Sequence, residues 1–130
     1  MRNKIEIRKS KIKNAGRGVF ATVDIKKGEV IEICPIIILW DKDFPHVQET
    51  LMIGYVYGYT GNSTMIALGY GSLYNHLNTP NAKYELVEHE GMKEQDSELY
   101  ITALRPIMKN EEIYINYGGE YNEKYGGKTA

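Results

Sequence analysis

Residues Gly69–Ala82 read G-Y-G-S-L-Y-N-H-L-N-T-P-N-A, a stretch that sets an Asn-His dipeptide (Asn75, His76) ahead of a Pro-Asn dipeptide (Pro80, Asn81). Its glycines and its proline argue against a long helix or an uninterrupted strand. Adjacent Asn and His bring amide, imidazole and backbone groups to one place. That inventory suits a ligand with an amino group and a purine edge better than a bare phosphate. The competing reading is a polar connection whose side chains bond their own backbone, and on these residues alone it comes first.

A chain of 130 residues is expected to form one domain with a moderate core and no second catalytic domain. Sixteen basic and seventeen acidic residues leave a net charge of -1, so no global attraction to nucleic acid is expected, while a local acidic patch would still draw a basic peptide. The single cysteine, Cys34, excludes an intramolecular disulfide and a cysteine-rich zinc cluster, and reads as a small core residue in a reducing compartment. Three scattered histidines make no metal site. The opening M-R-N-K-I-E-I-R-K-S lacks the apolar run of a signal peptide, and no stretch is long enough to span a bilayer. The expectation is a soluble, intracellular protein. Eleven tyrosines stand against two phenylalanines; phenols are common on exposed strands, and they also line channels that are apolar in body and polar at the tip.

Along the chain, Lys4–Lys9 alternates as a half-buried strand. Asn14–Ala21 is a glycine-bearing turn returning to strand, and because no helix follows it, it matches neither a dinucleotide fingerprint nor a P-loop. Asp24–Glu29 is a charged turn. Val30–Trp40 predicts buried strands interrupted at Pro35, Asp41–Pro45 a loop, and His46–Gly54 a short helix. Tyr55, Tyr57 and Tyr59 are expected on one face of a strand, and Met65–Leu68 on another strand. Ala82–His89 and Leu99–Leu104 predict strands around a charged loop. Arg105–Glu112 repeats the design of the Asp24–Glu29 turn before a last strand at Ile113–Asn116. Short strands with little helix indicate a mainly β domain.

Three pieces follow one another in order: G-R-G-V-F-A at Gly16–Ala21, N-H-x-x-x-P-N-A at Asn75–Ala82, and E-E-I-Y-I-N-Y-G at Glu111–Gly118. With the two charged turns between them, they resemble the SET domain of S-adenosylmethionine-dependent protein lysine methyltransferases. The resemblance covers roughly residues 4–121, so 1–121 is taken as the domain and 122–130 as a short tail. It is most similar to the minimal viral and bacterial members.

That resemblance implies a mainly β, β-clip fold of several small curved sheets, in which a C-terminal pseudoknot brings the Asn-His loop beside the final tyrosine. Backbone around Gly16, Arg17 and Gly18 would hold the methionine part of S-adenosyl-L-methionine. Asn75 would take its amino group, and His76 would meet the adenine edge. Tyr117 matches the catalytic tyrosine, and Tyr121 would close the cofactor site from the tail. Tyr55 and Tyr57 are candidates for the wall of a lysine channel. Ile115 occupies the position two before the catalytic tyrosine, where an aliphatic side chain implies room for di- or trimethylation.

Three residues depart from the family pattern: Leu77 stands for a serine, Asn116 for an aspartate, and Asn78 for a zinc-binding cysteine. Without a zinc lid, the tail or a second subunit must cover the channel, so a homodimer is implied by analogy with viral members. A lysine-bearing protein, with a histone tail among the candidates, is the implied substrate, and the host nucleus the implied location if the source is viral. The alternative is an inactive SET module that binds a peptide or cofactor.

Overall fold

The computed structural model describes residues 4–117, so Tyr121 and the 122–130 tail lie outside the described residues. The alternation at the N-terminus becomes β1 (Ile5–Lys9), which pairs antiparallel with β2 (Arg17–Ala21) from Ile5↔Ala21 to Lys9↔Arg17. β2 in turn pairs antiparallel with β9 (Glu112–Ile115). A second sheet has the order β4-β5-β3-β8-β7, built from β3 (Val30–Leu39), β4 (Tyr57–Gly58), β5 (Thr64–Ala67), β7 (Ala82–Val87) and β8 (Glu98–Ala103). The remaining strand, β6 (Asn75–His76), completes the first sheet in the order β1-β2-β9-β6. Among the described residues, helix is confined to α1 (Phe44–Gln48) and short 3-10 turns, and no helix there is long and apolar enough to cross a membrane.

Pro35 does not interrupt β3. Residues Val30–Pro35 pair with β8, whereas Ile36–Leu39 pair with β5. The proline therefore sits where the strand changes neighbours, the place where a missing N–H is tolerated. Nor is β3 buried throughout: Cys34, Ile36 and Ile38 point into the core, while Ile33 and Ile37 are about half exposed. The expected loop at Asp41–Pro45 is a 3-10 turn (Asp41–Asp43) that already begins α1, and the second half of the expected helix is a separate 3-10 turn at Leu51–Gly54.

The two charged turns are matched in three dimensions. Ile25 and Ile107, both buried, exchange backbone hydrogen bonds of 2.7 and 2.8 Å. In each turn a glutamate accepts from a backbone N–H three residues earlier, Lys26 to Glu29 and Met108 to Glu111. Each also turns through a left-handed residue, Gly28 at φ 84° and Asn110 at φ 75°. Asparagine is among the few residues that adopt this conformation without glycine's freedom.

Between the sheets, the 3-10 turn Gly71–Leu73 packs on β3 and β5. A side chain at Gly71 would put its Cβ 2.5 Å from Ala67 Cβ and 2.9 Å from Cys34 Sγ. Burial pushes the Cys34 thiol well above its ordinary range, with the Glu32 carboxylate adding to the effect, in keeping with an inert core residue. Gly71→Ala is expected to overpack this contact and lower the unfolding free energy by about 1–3 kcal/mol. A urea midpoint equal to wild type would show that the turn moves freely.

Candidate active site

The Asn-His dipeptide meets the end of the chain through parallel pairing of β6 with β9, Asn75↔Tyr114 and His76↔Ile115. Leu77 N–H donates to the Ile115 carbonyl at 3.0 Å. Two residues make so short a ladder that side chains must reinforce it. Asn81, fully buried, donates from Nδ2 to the Glu112 carbonyl (2.9 Å) and accepts from Tyr114 N–H on Oδ1 (2.8 Å). Thus the Pro-Asn dipeptide clamps β9.

Beneath this junction lies Glu112, 2% exposed. Its carboxylate accepts from Ser10 Oγ (2.7 Å), Lys11 N–H (2.8 Å), Tyr114 OH (3.0 Å) and Asn75 Nδ2 (3.1 Å). Burial and the carboxylate push the Tyr114 phenol up to about 12, so it stays a donor at neutral pH. Asn75 Nδ2 also donates to the Arg17 carbonyl at 3.0 Å. With both amide hydrogens directed at acceptors, the orientation of Asn75 is settled, and its Oδ1 is a buried acceptor without a hydrogen-bond partner.

The glycines beside it serve different needs. Gly16 takes φ 73°, with open space where a Cβ would stand, so only its backbone conformation calls for glycine. At Gly18 the conflict is steric: a Cβ would overlap Glu112 Oε2 and stand 3.0 Å from Asn75 Nδ2.

His76 is 5% exposed. Its Nδ1 accepts from Tyr117 N–H at 2.9 Å, which places the ring proton on Nε2, facing Asn78 Oδ1 at 2.9 Å. Both ring nitrogens are therefore engaged inside the protein. Parallel register directs the Asn75 carbonyl and Leu77 N–H toward Ile115, so the peptide groups of His76 face the outer edge of the four-stranded sheet. Any hydrogen bonding of His76 to a purine edge thus falls to its main chain.

Tyr117 leans over the His76 ring with centroids 5.2 Å apart, and its hydroxyl donates to the Tyr74 carbonyl at 2.6 Å. It lines a cleft together with Gly54, Tyr55, Val56, Tyr57, Ser72, Tyr74 and Tyr84. Tyr57 and Tyr84 pack edge to face at 4.8 Å, and Tyr57 OH donates to the Gly71 carbonyl at 2.6 Å. Burial raises the Tyr84 phenol above its ordinary range. Among the described residues, no carboxylate belongs to the lining.

Gly16, Arg17, Gly18, Asn75, His76 and Tyr117 are accordingly brought together, and Tyr55 and Tyr57 share the adjoining cleft. The expected three-phenol strand face is absent: β4 is only Tyr57–Gly58, and Tyr59 turns to pack against Trp40 with centroids 6.0 Å apart. Ile115 is fully buried in the core and is not among the described residues that line the cleft. Four contributors went unassigned in the sequence: Asn81, Glu112, Tyr74 and Tyr84. The first three stood within the quoted stretches, but nothing local distinguishes Tyr74 or Tyr84 from the other phenols.

Residues 16–118 match the SET domain family model. The chain belongs to the SET-domain family. Over 121 residues this SET domain is 35% identical to the histone-lysine N-methyltransferase, H3 lysine-37 specific, of Schizosaccharomyces pombe, spanning 91% of this chain and 76% of that protein. A crystal structure of a candidate histone methyltransferase from Plasmodium falciparum superposes with a TM-score of 0.74 at 35% identity, covering 92% of this chain and 96% of that one. A chain of the Chaetomium thermophilum Polycomb Repressive Complex 2, autoinhibited and bound to S-adenosylmethionine, shares the fold at TM-score 0.76 and 18% identity, over 95% of this chain and 16% of its own. The expected mainly β architecture of small curved sheets is that of this family, and the activity is that of a protein-lysine methyltransferase.

Asn81→Ala would leave a buried carbonyl and a buried N–H of β9 unsatisfied. Each such group costs about 1–3 kcal/mol, so a loss of about 2–4 kcal/mol in unfolding free energy is expected by urea denaturation. A loss below half a kilocalorie (~0.5 kcal/mol, the scale of an ordinary surface substitution) would show that the ladder holds without its clamp.

Proposed function

We propose that this SET domain binds S-adenosyl-L-methionine against Gly16–Gly18 and Asn75–His76 and methylates a lysine of a histone tail presented through the tyrosine-lined cleft. The observation that carries the cofactor reading is the buried, unpartnered Asn75 Oδ1, an acceptor in need of a donor beside a cradle that excludes a Cβ at Gly18. An α-ammonium group fits that need, since it has three donors and no acceptor. The names of the S. pombe and P. falciparum relatives favour a histone as substrate.

When bound, the cofactor supplies a methyl group activated on a positively charged sulfur. The protein's part is to align and desolvate the attacking amine. Lysine has an unperturbed pKa of about 10.4, and a cleft lined by phenols, Val56, Gly54 and Ser72 disfavours its ammonium form by burial. Among the described residues, no lining carboxylate holds the proton back. Tyr117 donates its hydroxyl proton to the Tyr74 carbonyl, which leaves the oxygen lone pairs as acceptors for polarised C–H groups at the meeting point of the two sites.

Incubation with labelled S-adenosylmethionine and histones, or a lysate, tests the reading. Wild type is expected to label a histone, and Tyr117→Phe to lower kcat by about 100-fold or more while cofactor affinity stays within about threefold, one hydrogen bond's worth at most. Cofactor binding with no transfer to any protein would favour a binding module, and failure to bind would reject both. Because the protonated amine is inert, kcat is expected to rise about tenfold per pH unit until the bound lysine loses its proton, and to level off below the unperturbed lysine value of about 10.4; a rise that continues unbroken to that value would contradict desolvation-assisted attack. Two finer expectations belong to the same proposal: closure of the cofactor side by Tyr121, read by cofactor titration of Tyr121→Ala, and cover by a second copy of the chain, read by sedimentation velocity.

A further inference from the structure

Glu32 lies outside every motif quoted above, yet several features of the fold converge on it. The β3–β8 register shifts between Val30 and Glu32. This irregularity changes the phase of the strand, so that Glu32 shares the inner face with Cys34 while Ile33 points outward. Bulges commonly re-aim a side chain in this way beside functional sites. The carboxylate then accepts from Tyr70 N–H on Oε2 (2.9 Å) and from Tyr74 OH on Oε1 (2.8 Å). Gly69, at φ 65°, passes so close that a Cβ would overlap Oε2. Backbone phase, glycine placement and two donors all accommodate one carboxylate.

The segment it grips carries the acceptors of the cleft. Tyr70 and Tyr74 bound the 3-10 turn Gly71–Leu73. The Gly71 carbonyl accepts the Tyr57 hydroxyl and the Tyr74 carbonyl accepts the Tyr117 hydroxyl, each at 2.6 Å. Both of these cleft phenols thus hydrogen-bond to carbonyls of the segment held by Glu32. Tyr74 is the direct link, with its side chain on Glu32 and its carbonyl on Tyr117.

We propose that Glu32 is a positioning residue for methyl transfer: by holding Tyr70 N–H and Tyr74 OH it sets the Gly71 and Tyr74 carbonyls, and through them the hydroxyls of Tyr57 and Tyr117. The inference rests on the methyltransferase reading for its kinetic consequence and on the structure alone for the geometric one. Glu32→Gln keeps the volume but offers one acceptor oxygen to two donors. Tyr74→Phe keeps the carbonyl and removes the link. Each variant is expected to lower kcat by about tenfold or more through misorientation, with cofactor Kd unchanged because Asn75 and Glu112 are untouched. Since both act on one contact, the double variant is expected to lose no more than the worse single one. Glu29→Gln, at an exposed ion pair with Lys4, should behave as wild type.

The second readout needs no turnover. In protein labelled with 13Cζ-tyrosine, the Tyr57 and Tyr117 resonances, assigned through their Phe variants, are expected to shift in both Glu32→Gln and Tyr74→Phe. Superimposable resonances would overturn the proposal even in an active enzyme. Shifted resonances in a protein that transfers no methyl would uphold the positioning and refute the assigned activity. Folded variants with kcat within twofold of wild type, or with kcat and cofactor affinity falling in parallel, would also overturn it.

Discussion

Two residues of parallel strand, Asn75 and His76 against Tyr114 and Ile115, join segments that lie thirty-nine positions apart in sequence. Closing a loop of that length costs about 3 kcal/mol by the logarithmic scaling of chain entropy. Leu77 N–H on Ile115, the two Asn81 bonds and Tyr117 N–H on His76 oppose it at about 1 kcal/mol each. The junction is near balance on these bonds alone, so burial of Ile113, Ile115 and Val19 around it decides that it stays closed. Everything proposed for the site depends on this closure, because Asn75 and His76 belong to one segment and Tyr117 follows the other.

Two carboxylates frame the result. Glu112 lies beside Asn75 and Glu32 on the cleft side; hydroxyls, a side-chain amide and a peptide N–H hold the first, and a hydroxyl and a peptide N–H hold the second. Each also lies where a glycine has no Cβ, Gly18 over Glu112 and Gly69 over Glu32. A carboxylate satisfied by several fixed donors orients them all, and it does so without setting a strong positive charge beside a site proposed to take a positively charged cofactor. Between the two lie Asn75, Tyr74 and Tyr117, the groups whose orientation the chemistry needs most.

Much of the fold can be seen in local pattern. The alternation in Ile5–Lys9, Ala82–Val87 and Glu98–Ala103 follows from strands with one face on the core, and Gly28 and Asn110 mark turns because few residues adopt a left-handed backbone. Local pattern misleads where a residue's setting comes from its neighbours in space. Pro35 looked like a break because the handover of β3 from β8 to β5 is invisible in one strand's sequence. Three alternating phenols suggested one strand face, but only Tyr57–Gly58 pairs, and Tyr59 finds Trp40.

By itself the sequence determined the family and the chemistry on offer: the order of the glycine turn, the Asn-His loop and the terminal tyrosine names the groups, since these roles need particular atoms. Only the tertiary structure decided which of those atoms are available. It turned the His76 ring inward and left its main chain at the sheet edge, left Asn75 Oδ1 without a partner, buried Ile115 in the core, and brought Glu112 and Glu32 under the site. The physical reason is that hydrogen-bond satisfaction belongs to groups that meet in space, and a donor's identity does not reveal which distant acceptor it will face.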